Sequence, residues 1–455
     1  MNNYQSLINS QTILFNSNFT KPITFRIAQL TKLKALLKNN EKDLYEAIYN
    51  DFKKSEFETY ATELAILYAE INDALKNIKQ WSKRKYVKTN LANLPALSYI
   101  IPEPLGVTLV IGAWNYPYQL SFGPVIAAMA AGNTIVLKPS ELASHTSAIM
   151  AQLINTNFDA NYFKVIEGGV TETTALLNLP WDKLFFTGSV PVGKIVYQAA
   201  AKHLTPVTLE LGGKSPAIVT ANCNLKETVK RLVWAKFLNA GQTCIAPDYV
   251  VVEASIHDAF IDAVKQQIAD YNYSFENNNY VQIINTNNFN RLSALINNKQ
   301  VVVGGNTDAA KRYIAPTVMD NVSWIDNIMK DEIFGPLLPI ITYTNINEVI
   351  IHIKQRPKPL SCYVFTNDCK LQDKILTEIS FGGGAVNDAL MHISNSHLPF
   401  GGVGCSGMGN YHGEAGFKAF SHYKSILQKP FWLETNLKYP PYSTTKLNWI
   451  KKILE

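Results

Sequence analysis

Hydrophobic residues recur at helical spacing between charged residues in ITFRIAQLTKLKALLKNNEKDLYEAIYNDF and its continuation, which together span residues 23–82. An apolar face that repeats every three to four residues is typical of amphipathic helices, so we predict that this region is helical. The pattern changes in residues 86–106, YVKTNLANLPALSYIIPEPLG, where prolines interrupt alternating residues. This texture predicts an extended excursion or a hairpin.

From residue 106 onward, short apolar runs alternate with segments long enough to form helices. The runs are GVTLVIGAWN, NTIVLKPSE, FKVIEGG and KLFFTGS, and each ends in small or polar residues. This alternation is typical of βαβ units and a parallel sheet, whose ligands bind beyond the carboxyl ends of the strands. The candidate binding residues that follow the runs are Trp114, Asn115, Lys138, Glu141, Gly168, Gly169, Gly188 and Ser189.

A second alternating region begins at PVTLELGGKSPAIV, residues 206–219, and extends to about residue 400. Within it, the Asn-rich segment FENNNYVQIINTNNFNRL, residues 275–292, predicts a surface loop that enters a helix. The Gly-rich segment HLPFGGVGCSGMGNYHGEAGF, residues 397–417, predicts irregular structure near the end of the chain. We therefore expect an α/β protein.

The composition narrows the class of protein. A chain of 455 residues is long enough for two or three domains, and 47% hydrophobic with 17% charged residues indicates a globular protein. A net charge of +6 is small for this length and gives no argument for nucleic-acid binding, which needs a concentrated basic patch. No secretory pattern begins the sequence and no stretch approaches roughly 20 apolar residues, so we expect a cytoplasmic protein.

The five cysteines, Cys223, Cys244, Cys362, Cys369 and Cys405, are odd in number and scattered in spacing. No CxxC pair occurs, so we expect neither a metal site nor a disulfide framework. A reducing compartment fits this pattern.

Cys244 stands in FLNAGQTCIAP, residues 237–247, among residues that suit a turn and close backbone approach. A thiol nucleophile needs partial exposure and nearby N–H donors or positive charge. Gly241 and Thr243 allow a tight backbone whose N–H groups point at a ligand. The alternative is an inert buried thiol, because free cysteine packs like a small hydrophobic residue.

Glu210 lies inside the otherwise apolar run of TLELGG. A buried carboxylate is costly unless it is paired or its pKa rises, and a raised pKa suits a general base. The alternative is a structural glutamate that caps the turn at Gly212 and Gly213. Residue type alone leaves both interpretations open.

The segment FFTGSVPVGK has the texture of a strand followed by a helix. The strand-like run ends in Thr187, Gly188 and Ser189, and the N-terminus of the following helix suits a pyrophosphate. The spacing from Gly188 to Gly193 differs from GxGxxG, so an ordinary strand–turn–helix is the alternative.

Two further pairs suit a nucleotide. Lys138 and Glu141 follow a strand and are able to bind ribose hydroxyls, with a surface ion pair of small value as the alternative. Glu332 and Phe334, in KDEIFGPLLPI, are able to hold a ribose and line a ring. A helix-to-strand turn with a core phenylalanine is the alternative.

Taken together, these segments resemble the NAD(P)-dependent aldehyde dehydrogenases over nearly the whole chain. The short N-terminal region and the sequence motif AWNYP are most similar to those of the class 3 branch of fatty and aromatic aldehyde dehydrogenases. The resemblance implies an α/β aldehyde dehydrogenase-like fold with two doubly wound Rossmann-like domains and a small β oligomerisation extension. The matching segments, in family order, are PLGVTLVIGAWNYPYQL, AAGNTIVLKPSE, FFTGSVPVGK, LELGGKSPAIV, NAGQTCIAP, DEIFGPLLPI and LPFGGVGCSGMGNYHGEAGF.

The resemblance also implies a division into domains. Residues 1–84 and 101–208 would bind NAD(P), and residues 209–404 would form the catalytic domain. Residues 85–100 and 405–432 would form the oligomerisation segment of a homodimer, followed by a tail at 433–455.

By resemblance, Cys244 is the nucleophile, Asn115 and the backbone N–H of Cys244 form the oxyanion hole, and Glu210 activates water to hydrolyse the thioester. NAD is the expected cofactor, because the Glu141 carboxylate should repel a 2′-phosphate, although class 3 enzymes also accept NADP. The residues implied to contact the cofactor are Trp114, Lys138, Glu141, Gly168, Thr187, Gly188, Ser189, Gly193, Glu332 and Phe334.

The implied activity is oxidation of medium- or long-chain aliphatic or aromatic aldehydes to carboxylic acids. A coenzyme A-acylating enzyme of the same fold is an alternative that Glu210 disfavours, since such enzymes keep water from the thioester. A non-catalytic binding or structural relative is a second alternative, but Cys244, Glu210 and Asn115 are all retained.

The end of the chain, TTKLNWIKKILE, combines Leu447, Ile450 and Leu454 at helical spacing with three lysines. This pattern predicts a basic amphipathic helix in residues 444–455, and such a helix is able to rest on an anionic membrane surface. The alternative is a helix that covers the dimer or the substrate entrance.

Overall fold

The structure, a computed structural model, describes residues 4–454. Its longer helices alternate with short buried strands after residue 106, as the sequence pattern predicts. The helices are α1 (Tyr4–Asn16), α2 (Ile23–Asn39), α3 (Glu41–Phe52), α4 (Glu56–Thr59), α5 (Ala65–Trp81), α6 (Pro117–Ala131), α7 (Ser144–Asn157), α8 (Val170–Leu177), α9 (Val190–Ala201), α10 (Leu225–Phe237), α11 (His257–Tyr271), α12 (Thr286–Ser293), α13 (Ile346–Lys354), α14 (Cys369–Glu378), α15 (Gly413–Ala419) and α16 (Thr444–Leu454).

Most strands belong to two large sheets. The strands are β1 (Lys85–Val87), β2 (Leu97–Pro104), β3 (Val107–Ile111), β4 (Thr134–Lys138), β5 (Phe163–Val165), β6 (Lys183–Thr187), β7 (Val207–Glu210), β8 (Pro216–Val219), β9 (Tyr249–Glu253), β10 (Val301–Val303), β11 (Thr307–Asp308), β12 (Tyr313–Ile314), β13 (Thr317–Met319), β14 (Leu337–Tyr343), β15 (Ser361–Phe365), β16 (Gly383–Val386), β17 (Gly407–Met408) and β18 (Ser421–Gln428).

The first sheet has six strands in the order β17-β7-β6-β3-β4-β5. All neighbours are parallel except β17, which pairs antiparallel with β7. Every residue of β3, β4 and β6 is buried, because helices cover both faces of a parallel sheet. The carboxyl ends of β3, β4, β6 and β7 lie at one edge of the sheet. They bring the segments that carry Asn115, Lys138, Thr187 and Glu210 to that edge.

The second sheet has seven strands in the order β10-β13-β14-β9-β8-β15-β16. Only the β10–β13 pair is antiparallel among these strands. One large hydrophobic core includes residues of both sheets, such as Val110 of β3 and Val250 of β9. Two mainly parallel sheets confirm the expected α/β class.

A third, antiparallel sheet has the order β1-β2-β18. β1 and β2 form the hairpin predicted for residues 86–106. β18 pairs with β2 over eight residues, from Ser421 opposite Pro104 to Gln428 opposite Leu97. Most residues of β18 are exposed, so the outer edge of this small sheet faces away from the core.

The segment 275–292 is a loop that enters α12 at Thr286, as predicted, but the middle of this loop is buried and does not lie on the surface. Tyr280, Val281, Ile283 and Ile284 are buried, whereas the residues directly before them, 276–279, are exposed. The Tyr280 hydroxyl donates a hydrogen bond of 2.8 Å to the carbonyl oxygen of Ile314. Aromatic burial therefore anchors a segment whose asparagine content predicts a loop.

The Gly-rich segment 397–417 is also more regular than predicted. It contains β17 and begins α15 at Gly413. Phe400 and Tyr411 form an isolated antiparallel bridge within it. This pairing brings Tyr411 and His412 into the interior, where their exposed fractions are 1% and 3%.

Candidate active site

The cysteine loop, residues 238–247, begins with three consecutive residues of left-handed backbone. Asn239, Ala240 and Gly241 have φ of 53°, 50° and 69°. A Cβ atom on Gly241 would lie 2.3 Å from the carbonyl oxygen of Gly335. Glycine is required there, because both the backbone angle and the contact oppose a side chain. The tight turn presents Cys244 beside the loop that carries Gly335.

Cys244 is half-buried, and its environment suppresses ionisation of the thiol. Burial raises its pKa to about 12, with further contributions from the charges of Glu332 and Glu210. The backbone N–H groups of Cys244 and Ile245 hydrogen-bond the sulfur and oppose this increase. The thiol is therefore protonated at neutral pH until a nearby group accepts its proton.

Glu210 ends β7 and is only 2% exposed. Neither carboxyl oxygen has a hydrogen-bonding partner within residues 4–454, and burial raises the pKa of the carboxyl well above its ordinary value. The capping alternative for Glu210 therefore fails. Its register partner on β6, Thr187, has a buried hydroxyl that is equally unpartnered in the described chain. Unsatisfied polar groups at adjacent strand ends indicate a site for water or a polar ligand.

Asn115 follows β3 and is held by a network of amides. The Asn115 Nδ2 donates a hydrogen bond of 3.0 Å to the carbonyl oxygen of Gln242. Asn239 Nδ2 donates to the carbonyl oxygens of Asn115, at 2.9 Å, and Gln242, at 3.1 Å. A side-chain amide carries two N–H donors, so Asn115 keeps one for a ligand. Sequence reasoning missed the structural roles of Asn239 and Gln242.

A buried ion pair supports the same region. Lys54 Nζ lies 2.8 Å from Glu63 Oε1 and 4.0 Å from the centre of the Tyr116 ring. The other Glu63 oxygen accepts the N–H of Tyr118 at the start of α6. The Tyr116 hydroxyl in turn lies 2.7 Å from Thr243 Oγ1, next to Cys244. Sequence reasoning missed this chain of contacts, because its charged members lie within a region of ordinary amphipathic helices.

Lys138 ends β4 with a buried side chain, and its Nζ lies 2.8 Å from Glu141 Oε2. Burial raises the pKa of Glu141, but the hydrogen bond and charge of Lys138 outweigh it and lower the pKa below the ordinary value. The Glu141 side chain is 44% exposed, so its carboxylate also faces solvent. A Cβ on Gly169 would lie 3.9 Å from Glu141 Cγ. The structure thus brings two of the predicted cofactor segments together.

Gly168 has a φ of 135°. The N–H of Gly169 donates a hydrogen bond of 2.8 Å to Oε2 of Glu172 at the start of α8. A Cβ on Gly168 would lie 2.4 Å from Glu172 Cγ. Both glycines therefore serve a tight turn after β5. Glu172, which sequence reasoning missed, completes the start of the helix.

The N-terminus of α9 lies directly after Thr187, Gly188 and Ser189. The Ser189 side chain makes no capping hydrogen bond within the described residues, so N–H groups of the first turn remain available. A Cβ on Gly193 would lie 2.6 Å from Leu211 Cδ2, so glycine lets α9 pack against that residue. A dipole end with free donors suits an anionic group.

Glu332 lies against the turn that follows Glu210. A Cβ on Gly212 would lie 2.1 Å from Glu332 Oε2. Burial and the charge of Asp248 raise the pKa of Glu332 to about 8, against opposing contributions from the Gly213 N–H, Lys214 and Arg291.

Phe334 has a left-handed φ of 50°, and its ring meets the Trp114 ring edge-on at 5.4 Å. The two residues come from the loops that also carry Glu332 and Asn115. Both aromatic rings are only partly buried.

A cavity of about 1280 Å³ adjoins the cysteine loop. Leu238 of that loop lines the cavity, and so does Glu58, which accepts a hydrogen bond from the backbone N–H of Asn239. The volume exceeds that of most small-molecule sites, which are roughly 300–1,000 Å³. The aromatic lining residues are Tyr45, Tyr49, Phe57, Trp234, Tyr271 and Tyr273.

Among residues 4–454, no cluster of three or more His, Cys, Asp or Glu side chains has the arrangement of a metal site. None of the helices within these residues has the length and apolar character needed to cross a membrane.

The sequence pattern of the aldehyde dehydrogenase family matches residues 14–426. The chain is 49% identical over 441 residues to 4,4'-diaponeurosporen-aldehyde dehydrogenase of Staphylococcus aureus, covering 96% of each. It is 44% identical over 444 residues to aldehyde dehydrogenase family 3 member A2 of Pongo abelii, covering 97% of this chain and 92% of the relative. A solved structure, the substrate-bound state of Staphylococcus aureus AldH, is 47% identical with a TM-score of 0.97 and full coverage of both chains.

Proposed function

The chain belongs to the aldehyde dehydrogenase family, whose members oxidise aldehydes with NAD(P), and from this premise we propose roles for its own residues. Cys244 is the nucleophile, Asn115 holds the oxyanion and Glu210 is the general base. The observation that carries this proposal is the buried Glu210 carboxyl. It accepts no hydrogen bond from residues 4–454, and its charge raises the pKa of the Cys244 thiol.

In the first step, the Cys244 sulfur forms a bond to the aldehyde carbon. The thiol proton passes to Glu210, whose raised pKa brings its proton affinity closer to that of a thiol with a pKa of about 12. The aldehyde oxygen becomes an alkoxide, and the free N–H of Asn115 and the backbone N–H of Cys244 donate to it. One such donor is worth about 3 kcal/mol in other enzymes.

NAD(P)⁺, when bound, accepts the hydride of the aldehyde carbon. The residues present fit this group, since Thr187 has an unpartnered hydroxyl in the described chain and α9 presents free N–H groups beside Ser189. Lys138 and Glu141 would hold the adenosine ribose, and Glu332 the nicotinamide ribose. Trp114 and Phe334 would line the site together with Gly168, Gly188 and Gly193.

NAD is the proposed first choice of cofactor, with NADP as the second. The Glu141 carboxylate is partly exposed to solvent. Solvent weakens its interaction with Lys138, so Lys138 neutralises the negative charge of Glu141 only in part. A 2′-phosphate beside this carboxylate would be repelled.

Oxidation leaves the acyl group on Cys244 as a thioester. Glu210, after it has released the thiol proton, takes a proton from water, the water oxygen bonds to the acyl carbon, and the sulfur leaves with its electron pair as a thiolate that regains a proton before the next cycle. A carboxyl at this position favours hydrolysis over transfer to coenzyme A, which is therefore not favoured as the acceptor.

Rapid mixing with saturating aldehyde and NAD tests these roles. Glu210→Gln is expected to retain the NADH burst and to slow the steady state by about 100-fold, the range of general base catalysis. Cys244→Ser should show neither phase. Glu378→Gln changes an exposed carboxyl of α14 and serves as the control. Loss of the burst in correctly folded Glu210→Gln would contradict the assignment, and Glu332→Gln shows whether a second carboxyl shares the role.

The proposed substrates are medium- or long-chain aliphatic or aromatic aldehydes. The aromatic walls of the 1280 Å³ cavity provide apolar surface for such a chain. A series of alkanals of increasing length, compared by kcat/KM, tests this point. A flat profile would exclude a long-chain preference.

We also propose a homodimer in which residues 85–100 and 405–432 form the oligomerisation segment. Residues 1–84 and 101–208 form the cofactor domain of each subunit, and residues 209–404 form the catalytic domain. The exposed outer edge of β18 supports this proposal, because an unpaired strand edge is available to a second copy. Sedimentation analysis of the full chain tests it.

The tail, residues 433–455, is proposed to touch an anionic membrane through residues 444–455 while the rest of the chain stays in the cytoplasm. Leu447, Trp449 and Leu454 of α16 are half or more exposed, next to Lys451 and Lys452. Glu455 lies outside the described residues. Equal co-sedimentation of full-length and tail-deleted protein with anionic liposomes would favour a helix that covers the dimer or the substrate entrance.

A further inference from the structure

Glu210 is almost wholly buried, so the proton that it takes from water during hydrolysis needs a route to solvent. The inference drawn here rests on the proposed role of Glu210 as the base. The nearest candidates lie on the segment that follows β17. Gly407 pairs with Glu210 in antiparallel register, and Tyr411 follows four residues later. The Tyr411 ring packs 5.0 Å from Phe185 of β6, the strand beside β7, and the charge of Glu210 raises the pKa of Tyr411 after the larger effect of burial.

Three polar side chains converge on one point of α6. A Cβ on Gly123 would lie 3.3 Å from Glu70 Oε2, 3.6 Å from Tyr411 Cε2 and 3.9 Å from Gln119 Nε2. The Tyr411 hydroxyl and Gln119 Nε2 are both buried, and a hydrogen bond from Gln119 lowers the pKa of Tyr411 against the larger effect of burial. Neither carboxyl oxygen of Glu210 has a partner within residues 4–454, and buried polar atoms without partners indicate a transient partner or a water beside Glu210.

Glu70 continues the series toward the surface. Its carboxyl contacts His412 Nδ1, and His412 Nε2 has no partner among residues 4–454. Glu70, His412 and Gly413 line a small cavity of about 10 Å³, close to the space that one water molecule requires. A Cβ on Gly413 would lie 3.2 Å from Oδ2 of Asp73, which is only partly buried. The polar series thus begins at Glu210 and ends beside solvent.

We propose that Tyr411, Glu70 and His412 carry the proton of Glu210 to solvent after each hydrolysis. Glu210 passes its proton through one water to the Tyr411 oxygen, while the Tyr411 hydroxyl proton moves to the Glu70 carboxylate, directly or through a second water. Glu70 releases the proton through His412 or the cavity water. No electron transfer occurs, and Glu210 returns to the carboxylate form for the next cycle.

The charged groups around this route are few in the described structure. Glu70 and Cys244 join Glu210 in raising the pKa of Tyr411. The phenolate is therefore not populated, and the two proton transfers at Tyr411 occur together. His412 faces Glu70 on one side and His392 on the other, and the pKa of His392 is lowered to about 4 by burial and by His412.

Hydrolysis of 4-nitrophenyl acetate without cofactor tests the route. Acyl transfer to Cys244 releases a burst of 4-nitrophenolate, and the steady rate then reports hydrolysis of the acyl-enzyme. Tyr411→Phe is expected to keep a burst of one per subunit and to slow the steady rate about tenfold or more. Added imidazole at constant pH should restore part of that rate, because a small base is able to take the proton from Glu210.

Glu70→Gln is the second variant, because it removes the proton acceptor without touching the Tyr411 ring, which packs 5.0 Å from Phe185. It should show the same slow steady rate and the same rescue by imidazole. Tyr197→Phe, which loses an exposed phenol on α9, is the control and should behave as the natural enzyme in this cofactor-free assay.

Natural steady rates in both Tyr411→Phe and Glu70→Gln would overturn the proposal, and so would slow rates that imidazole does not change in either. A failure of the proposed roles of Cys244 and Glu210 would give different results. Cys244→Ser would then retain the burst, or Glu210→Gln would hydrolyse the acyl-enzyme at the natural rate.

Discussion

Gly241 of the cysteine loop and Gly335 of the neighbouring loop touch at a point where no side chain fits. A Cβ on Gly241 would lie 2.3 Å from the Gly335 carbonyl oxygen. Cys244 follows Gly241 by three residues, and Glu332 precedes Gly335 by three. The contact therefore sets the distance between the proposed nucleophile and a carboxyl whose charge raises its pKa.

Gly241→Ala is expected to lower the NADH burst rate at least about tenfold, because displacement of a reacting group by about 1 Å already costs more than that. Gly404→Ala is the matched control. Its φ of 65° imposes a similar backbone penalty, but the nearest atom to its Cβ would be Lys358 Cδ at 3.6 Å. Stopped-flow rates and urea midpoints of both variants separate loss of alignment from loss of stability. Equal burst rates in the two variants would contradict the role of the contact.

The Cys244 thiol is expected to react slowly with iodoacetamide in the cofactor-free enzyme, with a rate that rises steadily from about pH 7 to 10. The rate increases with pH because the pKa of the Cys244 thiol is raised to about 12, so the thiolate fraction grows across this whole range. Ionisation of Glu332, with a pKa of about 8, should flatten the rise near that pH. Peptide mass spectrometry measures each site, with exposed Cys369 and Cys405 as internal references. A plateau for Cys244 below about pH 9 would refute the assignment.

The strand ends were predictable from the sequence, because apolar runs that stop at small or polar residues are a local signal. Cys244 and Glu210 were identifiable for the opposite reason, as residues that do not suit their neighbours. A thiol among turn residues and a carboxylate in an apolar run both break the pattern of a packed core. Lys138 and Glu141 were found through their position after β4.

Lys54 and Glu63 were not predictable, because charged residues in an amphipathic helical region normally face solvent. A π-helical turn at Tyr60–Leu64 changes which side chains of this region point inward, and Glu63 lies within it. Tyr411 and His412 were hidden for another reason. Their burial depends on the pairing of β17 with β7, which is remote in sequence.

Glu210→Gln is expected to stabilise the folded enzyme at neutral pH. The pKa of Glu210 is raised above the ordinary value of 4.5, so as pH rises above that value the unfolded chain ionises first and the folded state loses stability. Glutamine does not ionise and avoids this loss. The difference in free energy of unfolding between the variant and the natural enzyme should therefore grow by about 1.4 kcal/mol per pH unit, up to the pKa of Glu210 in the folded state. Urea unfolding at about pH 4 and pH 7 measures it. A pH-independent difference would rule out a raised pKa for Glu210.

Lys54→Met is expected to destabilise the fold by about 3–5 kcal/mol, because it leaves the Glu63 carboxylate buried without its cation. Glu63 still accepts the N–H of Tyr118, so the double variant with Glu63→Gln should recover a large part of the loss. Lys374→Met is the control, since it breaks an exposed pair with Glu378 that is worth less than about 1 kcal/mol. Urea midpoints of the four proteins measure these differences. If Lys54→Met cost no more than Lys374→Met, the buried pair would have no part in supporting the Tyr116–Thr243 contact beside Cys244.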